Sequence, residues 1–571
     1  MRWASAAPWA LAAIILLACL LAAGSWRVYS NTWDEPEHLA AGVELLDRGK
    51  YEYDTEHPPL ARVLLALGPW LAGAHAYDTR PPEGTPEGLD ILYSGADTYW
   101  RYLTLARLGT LPFLALLLFS TWLWARRLLP SQAAALLAVL LLVSVPPVLG
   151  HAGLASLDVA AAATILLALY TLQRWIDTAA PRDAGLFGLA SGIAVATKFS
   201  AVPFIGLSLV TLALAQAAVR RRRSFSAPGE GHALDGTVAG WRVRLVGVVV
   251  AALATLLVMF IAYGPRTPDP AGVALRFNWA VSYLLQKPPG LDHALGALLS
   301  HAQLWLPREL KDLVNGVVAV KAHNDAGHLS YLLGHVRQTG WWYFYLVALA
   351  VKTPIPLLLA GPAGMSALAH AGWRRGASWA LAPLVLTVTI LVFASTFSRI
   401  NIGIRHVLIV YPFFAIGAAY VALRGWQWIR SAPQRTAARV GTVALFALLA
   451  WQLSTLWTAH PDYLAYFNEA VAHPERVLVD SDLDWGQDLH RLELRAAQLN
   501  IQRLNLAYRG TANLTREPLP PFYILPPHQP VKGWVAVSVL ARTRNPADYA
   551  WLDAYRPVER IGKTIDLYYI P

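Results

Sequence analysis

Long apolar stretches alternate along the chain with short connections rich in arginine. Apolar runs near the ~20 residues needed to cross a bilayer begin around Trp9, Leu105, Ala133, Leu157, Gly185, Val202, Leu245, Trp341, Ala380, Val407 and Thr442. The runs at Gly185 and Val202 are short and nearly continuous, so their boundary is the least defined. The pattern predicts a polytopic α-helical membrane protein with about eleven transmembrane helices.

Composition and charge placement agree with that pattern. Of the 571 residues, 56% are hydrophobic and 15% are charged, which is too apolar for an ordinary soluble protein. Every second connection carries arginines, for example Arg126–Arg127, Arg220–Arg223 and Arg374–Arg375. By the positive-inside rule these connections are cytoplasmic, which places the N-terminus inside and the tail after Trp457 outside. The net charge of +11 follows from this topology and does not indicate a nucleic-acid partner.

Three long connections fall on the predicted external side. Residues 27–104 and 264–340 belong to a predicted transmembrane domain at 1–457, and residues 458–571 follow its last span. This tail alternates strand-like runs (RVLVD, QRLNLAY, GWVAVSVL, TIDLYYI) with helix-like ones such as GQDLHRLELRAAQLN. We therefore predict a small external α/β domain at 458–571.

The first external connection carries WDEPEHLAAGVELLDRGKYEYDTEHPPLAR, from Trp33 to Arg62. Asp34 can cap a helix, because Pro36 follows at an early helical position and Glu37 lies three residues on. A capping carboxylate can also be catalytic. His57 precedes two prolines, which fix an extended turn and aim its side chain. This block therefore concentrates the candidate functional residues.

The block resembles the first external loop of the protein O-mannosyltransferases and the wider glycosyltransferase family 39. Members carry an Asp-Glu pair, an amphipathic helix and then His-Pro-Pro-Leu, which match Asp34, Glu35, His57, Pro58, Pro59 and Leu60. Further stretches are similar to bacterial members: GHLSYLLGHVRQTGWW from Gly327, NIGIRHVLIVYPF from Asn401 and DSDLDWGQDL from Asp480. The resemblance implies a C-type glycosyltransferase fold with external amphipathic helices, in the inner membrane of a bacterium. It also implies inverting transfer of a sugar from a polyprenyl phosphate donor.

Three acidic residues are candidate catalytic groups by this resemblance. Asp34 matches the first acidic position and would be the general base, while Glu35 would orient the acceptor or share the proton. Asp158, in GHAGLASLDVAA, looks like the second acidic position of the superfamily. A carboxylate favoured by the dipole at a helix start is an equally open interpretation of Asp158. Because the leaving group is a stable phosphate, the reaction needs a base and cations but no strong general acid.

The donor phosphate needs basic groups at the outer ends of the spans, where an unpaired charge is costly. The candidates are His57, Arg107, Lys198, Arg405 and His406. Arg107 and Lys198 match family positions, whereas Arg405-His406 belongs to the NIGIRH motif of the bacterial subgroup. Each could instead reach the lipid headgroups, and for Lys352 we favour that interpretation. Where the family reads His-Pro-Pro-Leu-Gly-Lys, this chain has Ala61-Arg62, which keeps the charge but leaves its role open.

Metal and sugar contacts are less defined. Glu56 and His57 could hold a divalent metal with a distant histidine such as His335, but two adjacent residues are a poor ligand pair without a third. No cofactor is therefore predicted with certainty. Trp33 and Trp341 are candidates for stacking on a sugar ring. Asp482 and Asp484 imitate a metal-binding acidic triplet, and we favour an acceptor contact or a structural turn for them.

The leading hypothesis is thus a lipid-phosphate-sugar-dependent glycosyltransferase whose acceptor is a protein, a glycolipid or a polysaccharide. The competing class is a polytopic transporter or flippase of lipid-linked sugars without covalent chemistry. Transporters tend to show repeated halves and helices broken at mid-membrane, whereas here the notable charges gather at one face. A third alternative keeps the fold and lipid binding without activity.

Overall fold

The computed structural model describes residues 2–77, 84–226, 241–264, 280, 283 and 308–571. The helices of these residues, in chain order, are α1 (Arg2–Ala23), α2 (Glu35–Arg48), α3 (Pro59–Leu71), α4 (Gly84–Leu92), α5 (Thr98–Leu108), α6 (Leu111–Leu128), α7 (Gln132–Val143), α8 (Pro146–Ala152), α9 (Asp158–Thr178), α10 (Pro181–Thr197), α11 (Ala201–Ser226), α12 (Trp241–Tyr263), α13 (Arg308–Ala326), α14 (Phe344–Lys352), α15 (Ile355–Arg375), α16 (Ala382–Phe397), α17 (Val410–Ser431), α18 (Arg435–Thr458), α19 (Leu489–Gln498) and α20 (Val539–Arg544). Most of the predicted external loop 264–340 lies outside the described residues.

Eight helical segments in the described part of the chain are long and apolar enough to cross a membrane. They are Ala6–Ala23, Thr98–Leu128, Asp158–Thr178, Ala201–Arg223, Arg242–Tyr263, Ile355–Arg375, Ser378–Phe397 and Arg435–Thr458. Helices α7 and α8, bent by 68° at their junction, add a ninth if they form one span. The protein is therefore a multi-pass membrane protein, with fewer candidate spans than the eleven predicted.

The difference in number comes from two of the predicted apolar runs. The run at Gly185 forms α10, which has only 17 residues. The run at Val407 forms α17, which has 22 residues but is not apolar enough along its length to qualify, because its C-terminal part is polar. The run at Trp341 begins as the nine-residue α14 and crosses as α15, because Pro354 separates the two helices.

Close packing of α15 against α17 depends on glycine. A Cβ on Gly364 would overlap the carbonyl of Gly417, and a Cβ on Gly417 would overlap the carbonyl of Gly361. Small residues let the backbones of two membrane helices approach in this way. The contact fixes the N-terminal end of α17, which directly follows the 3₁₀ turn Ile404–Val407.

The described strands form two sheets. Strands β1 (Ser330–Leu332) and β2 (His335–Arg337) make an antiparallel hairpin. The tail contains β3 (Leu504–Ala507), β4 (Phe522–Ile524), β5 (Gly533–Ser538), β6 (Glu559–Ile561) and β7 (Ile565–Ile570) in the order β4-β3-β5-β7-β6. Strand β3 runs parallel to β4 and β5, and β7 runs antiparallel to β5 and β6.

Alternating side chains of the tail sheet serve two cores. Leu504 and Leu506 pack with α19, whereas Val535 and Tyr568 pack on the opposite face with α20. The predicted small α/β arrangement is therefore confirmed. The RVLVD run is an exception, because it is not a strand and leads into the 3₁₀ turn Asp480–Asp482. The division at residue 457 stays a prediction.

Candidate active site

A cavity of about 840 Å³ lies where the first loop, α9, α11, α13, α16 and the tail meet. Its lining includes seven predicted site residues and one weak metal candidate, Glu56. The seven are Trp33, Asp34, His57, Asp158, Lys198, Arg405 and His406. These residues come from stretches far apart in sequence. The fold therefore brings most of the predicted site into one cavity.

Asp34 directly precedes α2. Its side chain makes no capping hydrogen bond to the helix, so the capping role open to it in the sequence is not observed. Instead, Oδ2 accepts from Nη1 of Arg405 at 2.5 Å, and 23% of the side chain is exposed. A carboxylate with this access to the cavity can accept a proton from a bound hydroxyl group.

Arg405 links two of the acidic residues that line the cavity, Asp34 and Asp158. Its Nη1 also lies 3.5 Å from Oδ2 of Asp158, and its guanidinium carbon lies 4.5 Å from the ring centre of Trp485. Burial alone would lower the pKa of Arg405, but the charges of Asp34 and Asp158 outweigh it and raise that pKa. Arg405 is therefore a permanent cation in a nearly water-free position.

Asp158 is the first residue of α9 and is almost fully buried. Its Oδ1 accepts from Nζ of Lys198 at 2.7 Å, and its Oδ2 lies 3.9 Å from Nδ1 of His151. The helix start also favours a negative charge here. Because Asp158 balances Lys198 and Arg405 at once, the structural and functional interpretations of this residue are compatible.

His57 and His406, the two cavity histidines predicted to bind phosphate, favour the neutral form. Burial, followed by the nearby charge of Lys198, lowers the pKa of His57. The same two causes, in the same order, lower the pKa of His406 well below its usual value. Nδ1 of His57 has no hydrogen-bond partner among the described residues, and Nδ1 of His406 lies 3.2 Å from the hydroxyl of Tyr345. Each imidazole can therefore offer a hydrogen bond but not a positive charge.

Arg62, which stands where the family has lysine, shapes the turn that holds His57. Its side chain is fully buried and does not line the cavity. It donates to the hydroxyl of Tyr51 at 2.9 Å, to the carbonyl of Asp54 at 2.8 Å, and to the carboxylate of Asp54. The guanidinium is thus an internal brace for the segment between α2 and α3.

Glu35 and Arg107 form a buried ion pair outside the cavity lining. Nε and Nη2 of Arg107 donate to the two carboxylate oxygens of Glu35, each at 2.8 Å. The backbone N–H groups of Thr32 and Ala155 also donate to Glu35. The side chains are 1% and 0% exposed, so neither can contact a substrate in the cavity. We therefore do not propose the catalytic role predicted for Glu35 or the phosphate-binding role predicted for Arg107.

The four predicted sugar or acceptor contacts divide in the same way. Trp33 lines the cavity and is partly exposed, whereas Trp341 is buried with its N–H donating to Asn401. Asp482 accepts from the N–H of Ile404 at 3.0 Å. Asp484 accepts from the N–H groups of Gly486 and Leu540, and burial raises its pKa to about 7. Both aspartates stabilise backbone, as the structural-turn interpretation predicts.

Lys352 does not reach toward lipid headgroups. It is 1% exposed, and its Nζ donates to the carbonyls of Leu464 at 2.8 Å and Asp482 at 2.5 Å. The ammonium also lies 4.4 Å from the ring centre of Phe467. The snorkelling interpretation of Lys352 is therefore wrong, since the residue joins α14 to the tail.

The candidate metal ligands are not assembled. Oε2 of Glu56 lies 3.0 Å from Nδ1 of His323, while His335 is exposed on β2 and does not line the cavity. Within the described ranges, no group of three or more His, Cys, Asp or Glu side chains is placed to hold a metal ion. The structure thus provides no support for the Glu56, His57 and His335 set.

Several lining residues were not predicted as site residues. Trp485 and Asp480 lie inside the DSDLDWGQDL stretch, and its similarity to bacterial family members is the sequence feature that could have identified them. Oδ2 of Asp480 pairs with Nη2 of Arg544 at 2.5 Å. His323 and Arg544 are not part of any such motif, so only the structure shows that they line the cavity.

A comparison with models of protein families matches part of the chain that contributes to this cavity. Residues 29–228, which include Asp34, His57, Asp158 and Lys198, match the family model described as dolichyl-phosphate-mannose-protein mannosyltransferase. The chain is thus a membrane glycosyltransferase of the lipid-phosphate-sugar-dependent class. Its segment 29–228 carries the signature of the protein mannosyltransferase family, which confirms the resemblance seen in the sequence. No curated protein sequence gives a significant match to the chain.

Solved structures of similar proteins include ArnT from Cupriavidus metallidurans bound to undecaprenyl phosphate. It shares 15% identity with this chain at a TM-score of 0.45, and the alignment covers 98% of each chain. The S. cerevisiae protein O-mannosyltransferase Pmt1-Pmt2 complex bound to the sugar donor shares 11% identity at a TM-score of 0.49. That alignment covers 80% of this chain and 90% of the other.

Proposed function

We propose that the protein has the C-type glycosyltransferase fold and transfers a sugar, with inversion, from a polyprenyl phosphate donor to an acceptor on the external side of a bacterial inner membrane. The observation that carries the proposal is the shared cavity of Asp34, Arg405, Asp158 and Lys198, in which the accessible Asp34 pairs with Arg405 while the buried Asp158 lies between Arg405 and Lys198. The family that matches residues 29–228 is named for a donor of the same chemistry.

Asp34 would act as the general base. It would remove the proton from an acceptor hydroxyl as that oxygen forms a bond to the anomeric carbon. The bond between this carbon and the phosphate oxygen breaks at the same time, and the phosphate keeps the electron pair. A single displacement of this kind inverts the configuration at the anomeric carbon.

Arg405 and Lys198 would hold the phosphate. Nε of Arg405 is buried and has no hydrogen-bond partner among the described residues, so it is available to an incoming oxygen. Nζ of Lys198 lies on the same network through Asp158. Charge that gathers on the departing phosphate is then stabilised by groups that are already in position.

The apolar wall of the cavity suits a lipid donor better than a soluble nucleotide sugar. Phe199, Phe204, Phe393 and Phe397 line it; Phe199 directly precedes α11, and the other three lie in the candidate spans of α11 and α16. Phe397 is 64% exposed, and Val202, which also lines the cavity, is 40% exposed. The cavity therefore reaches the lipid-facing surface, where a polyprenyl chain can enter.

The test compares Asp34→Asn with Asp47→Asn in a deletion strain. Asp47 lies on the same helix and pairs with the exposed His75 outside the cavity, so it is a matched control. Mass spectrometry of lipid-linked sugars and surface glycans should show donor accumulation and loss of the transferred sugar only for Asp34→Asn. Wild-type glycans in that variant, at wild-type protein level, would contradict the assignment. A flippase would still move the donor yet form no new glycosidic bond with purified components.

A further inference from the structure

We infer that Trp485 is a positioning residue that holds the guanidinium of Arg405 between Asp34 and Asp158, so that the external tail completes the phosphate-binding part of the cavity. The inference rests on the proposed function, since it assigns a support to the cation that would bind the donor. Trp485 is remote in sequence from both carboxylates and is brought to them only by the fold.

The contact itself has the geometry of a cation–π pair. The guanidinium carbon of Arg405 lies 4.5 Å from the ring centre of Trp485, inside the ~6 Å range of this interaction. Trp485 is 2% exposed and still lines the cavity, and the ring of His151 meets it at 5.9 Å. Because water is largely excluded, the attraction is stronger than at an exposed site.

The backbone around Arg405 is held by the same stretch of the tail. Oδ1 of Asp482 accepts from the N–H of Ile404 at 3.0 Å, and the hydroxyl of Ser481 donates to the carbonyl of Ile402. Gly403 permits this approach, because a Cβ there would overlap the Ser481 hydroxyl. Residues 480–485 thus fix both the main chain and the side chain of the arginine segment.

Trp485 is in turn held by its own neighbours. Its backbone N–H donates to Oε1 of Gln487 at 2.7 Å, while Nε2 of Gln487 donates to the carbonyl of Leu483 at 2.7 Å. The carboxylate of Asp484 accepts hydrogen bonds from the backbone N–H groups of both Gly486 and Leu540. The main chain that carries the indole is therefore fixed, and the buried ring lies against Arg405, whose Nε has no hydrogen-bond partner among the described residues.

The experiment measures binding of undecaprenyl phosphate to the purified full-length protein. We expect Trp485→Leu to weaken binding about 10- to 30-fold, as removal of a desolvated cation–π pair predicts. Trp485→Phe keeps a flat ring and should lose only about threefold. The matched control is Trp534→Leu in the tail sheet, outside the cavity lining, which should bind like the wild type. Equal losses in Trp485→Leu and Trp534→Leu would overturn the inference.

A double substitution separates positioning from general damage. If Trp485 acts through Arg405, Trp485→Leu should add little once Arg405→Ala has been made, whereas independent roles give additive losses. Additive losses would refute the inference. Where the leucine variant folds poorly, the same cycle with Trp485→Phe decides. Unchanged binding in Arg405→Ala would refute the phosphate role in the proposed function. Weak binding in Arg405→Ala with normal binding in Trp485→Leu would refute only the inference.

Discussion

Substitution of Glu35 by glutamine should damage the fold before it damages the chemistry. Glu35 neighbours the proposed base and matches the family's acidic pair, so sequence alone suggests a catalytic loss. The structure instead places its carboxylate among five donor groups: the N–H and hydroxyl of Thr32, Nε and Nη2 of Arg107, and the N–H of Ala155. All of these groups are buried.

The magnitude follows from what glutamine cannot replace. Its amide keeps one oxygen, but the other position becomes an NH₂ group that faces N–H donors. Arg107 then remains as a buried charge without a counter-ion. Removal of one partner from a buried pair costs about 3–5 kcal/mol. Arg107→Lys should show a similar loss, because an ammonium cannot reproduce the five hydrogen bonds, two to Glu35 and one each to the carbonyls of Trp26, Tyr29 and Ser30.

The assay is thermal unfolding of the purified protein in detergent, with turnover measured per folded molecule. Glu35→Gln should lower the apparent Tm and the yield, while the molecules that fold keep most of their turnover. Glu37→Gln is the matched control for stability, since that side chain lies two residues on and is 34% exposed. A Glu35→Gln protein with normal Tm and greatly reduced turnover would refute the reasoning and restore the catalytic interpretation.

Three further outcomes are expected. Purified Asp34→Asn should lose about 10²- to 10⁴-fold in transfer rate while it keeps its fold and donor binding. Near wild-type turnover would show that Asp34 is not the general base. Arg405→Ala should lower both donor affinity and turnover, with partial rescue by Arg405→Lys, whereas unchanged donor saturation curves would exclude the phosphate role. Reporter fusions after Arg127 and Arg223 should be cytoplasmic and one at Pro571 external; a cytoplasmic C-terminus would remove the basis for external chemistry.

The sequence predicted the membrane class and the main carboxylate cluster because these depend on local signals. Apolar runs indicate spans wherever helices face lipid, and the first loop carries its motif within thirty positions of Trp33. The number of spans was less well predicted, because α10 has only 17 residues and α17 ends in a polar stretch from Arg424 onward.

Roles within the site were harder to predict because a motif gives residue type but not environment. Glu35 and Asp34 are adjacent, yet one lies inside a hydrogen-bond cage and the other faces the cavity. In the sequence, Arg107 and Lys352 resemble cations at the membrane boundary. In the structure, each is buried and donates its hydrogen bonds to carbonyl or carboxylate groups of the protein. Only the packing of segments distant in sequence distinguishes a residue in a buried ion pair from one that faces the cavity. The contact between Trp485 and Arg405 also depends on such packing.

The hydrogen bond from Ile404 to Asp482 joins two segments that the ribosome makes at different times. The spans enter the bilayer as the ribosome makes them, whereas residues 480–485 emerge later and, in the predicted topology, must cross to the external side. Until then the arginine segment lacks its partners at Ser481 and Asp482. A nascent chain whose spans are already inserted therefore still lacks the hydrogen bonds that hold its arginine segment until the last part of the chain has been made.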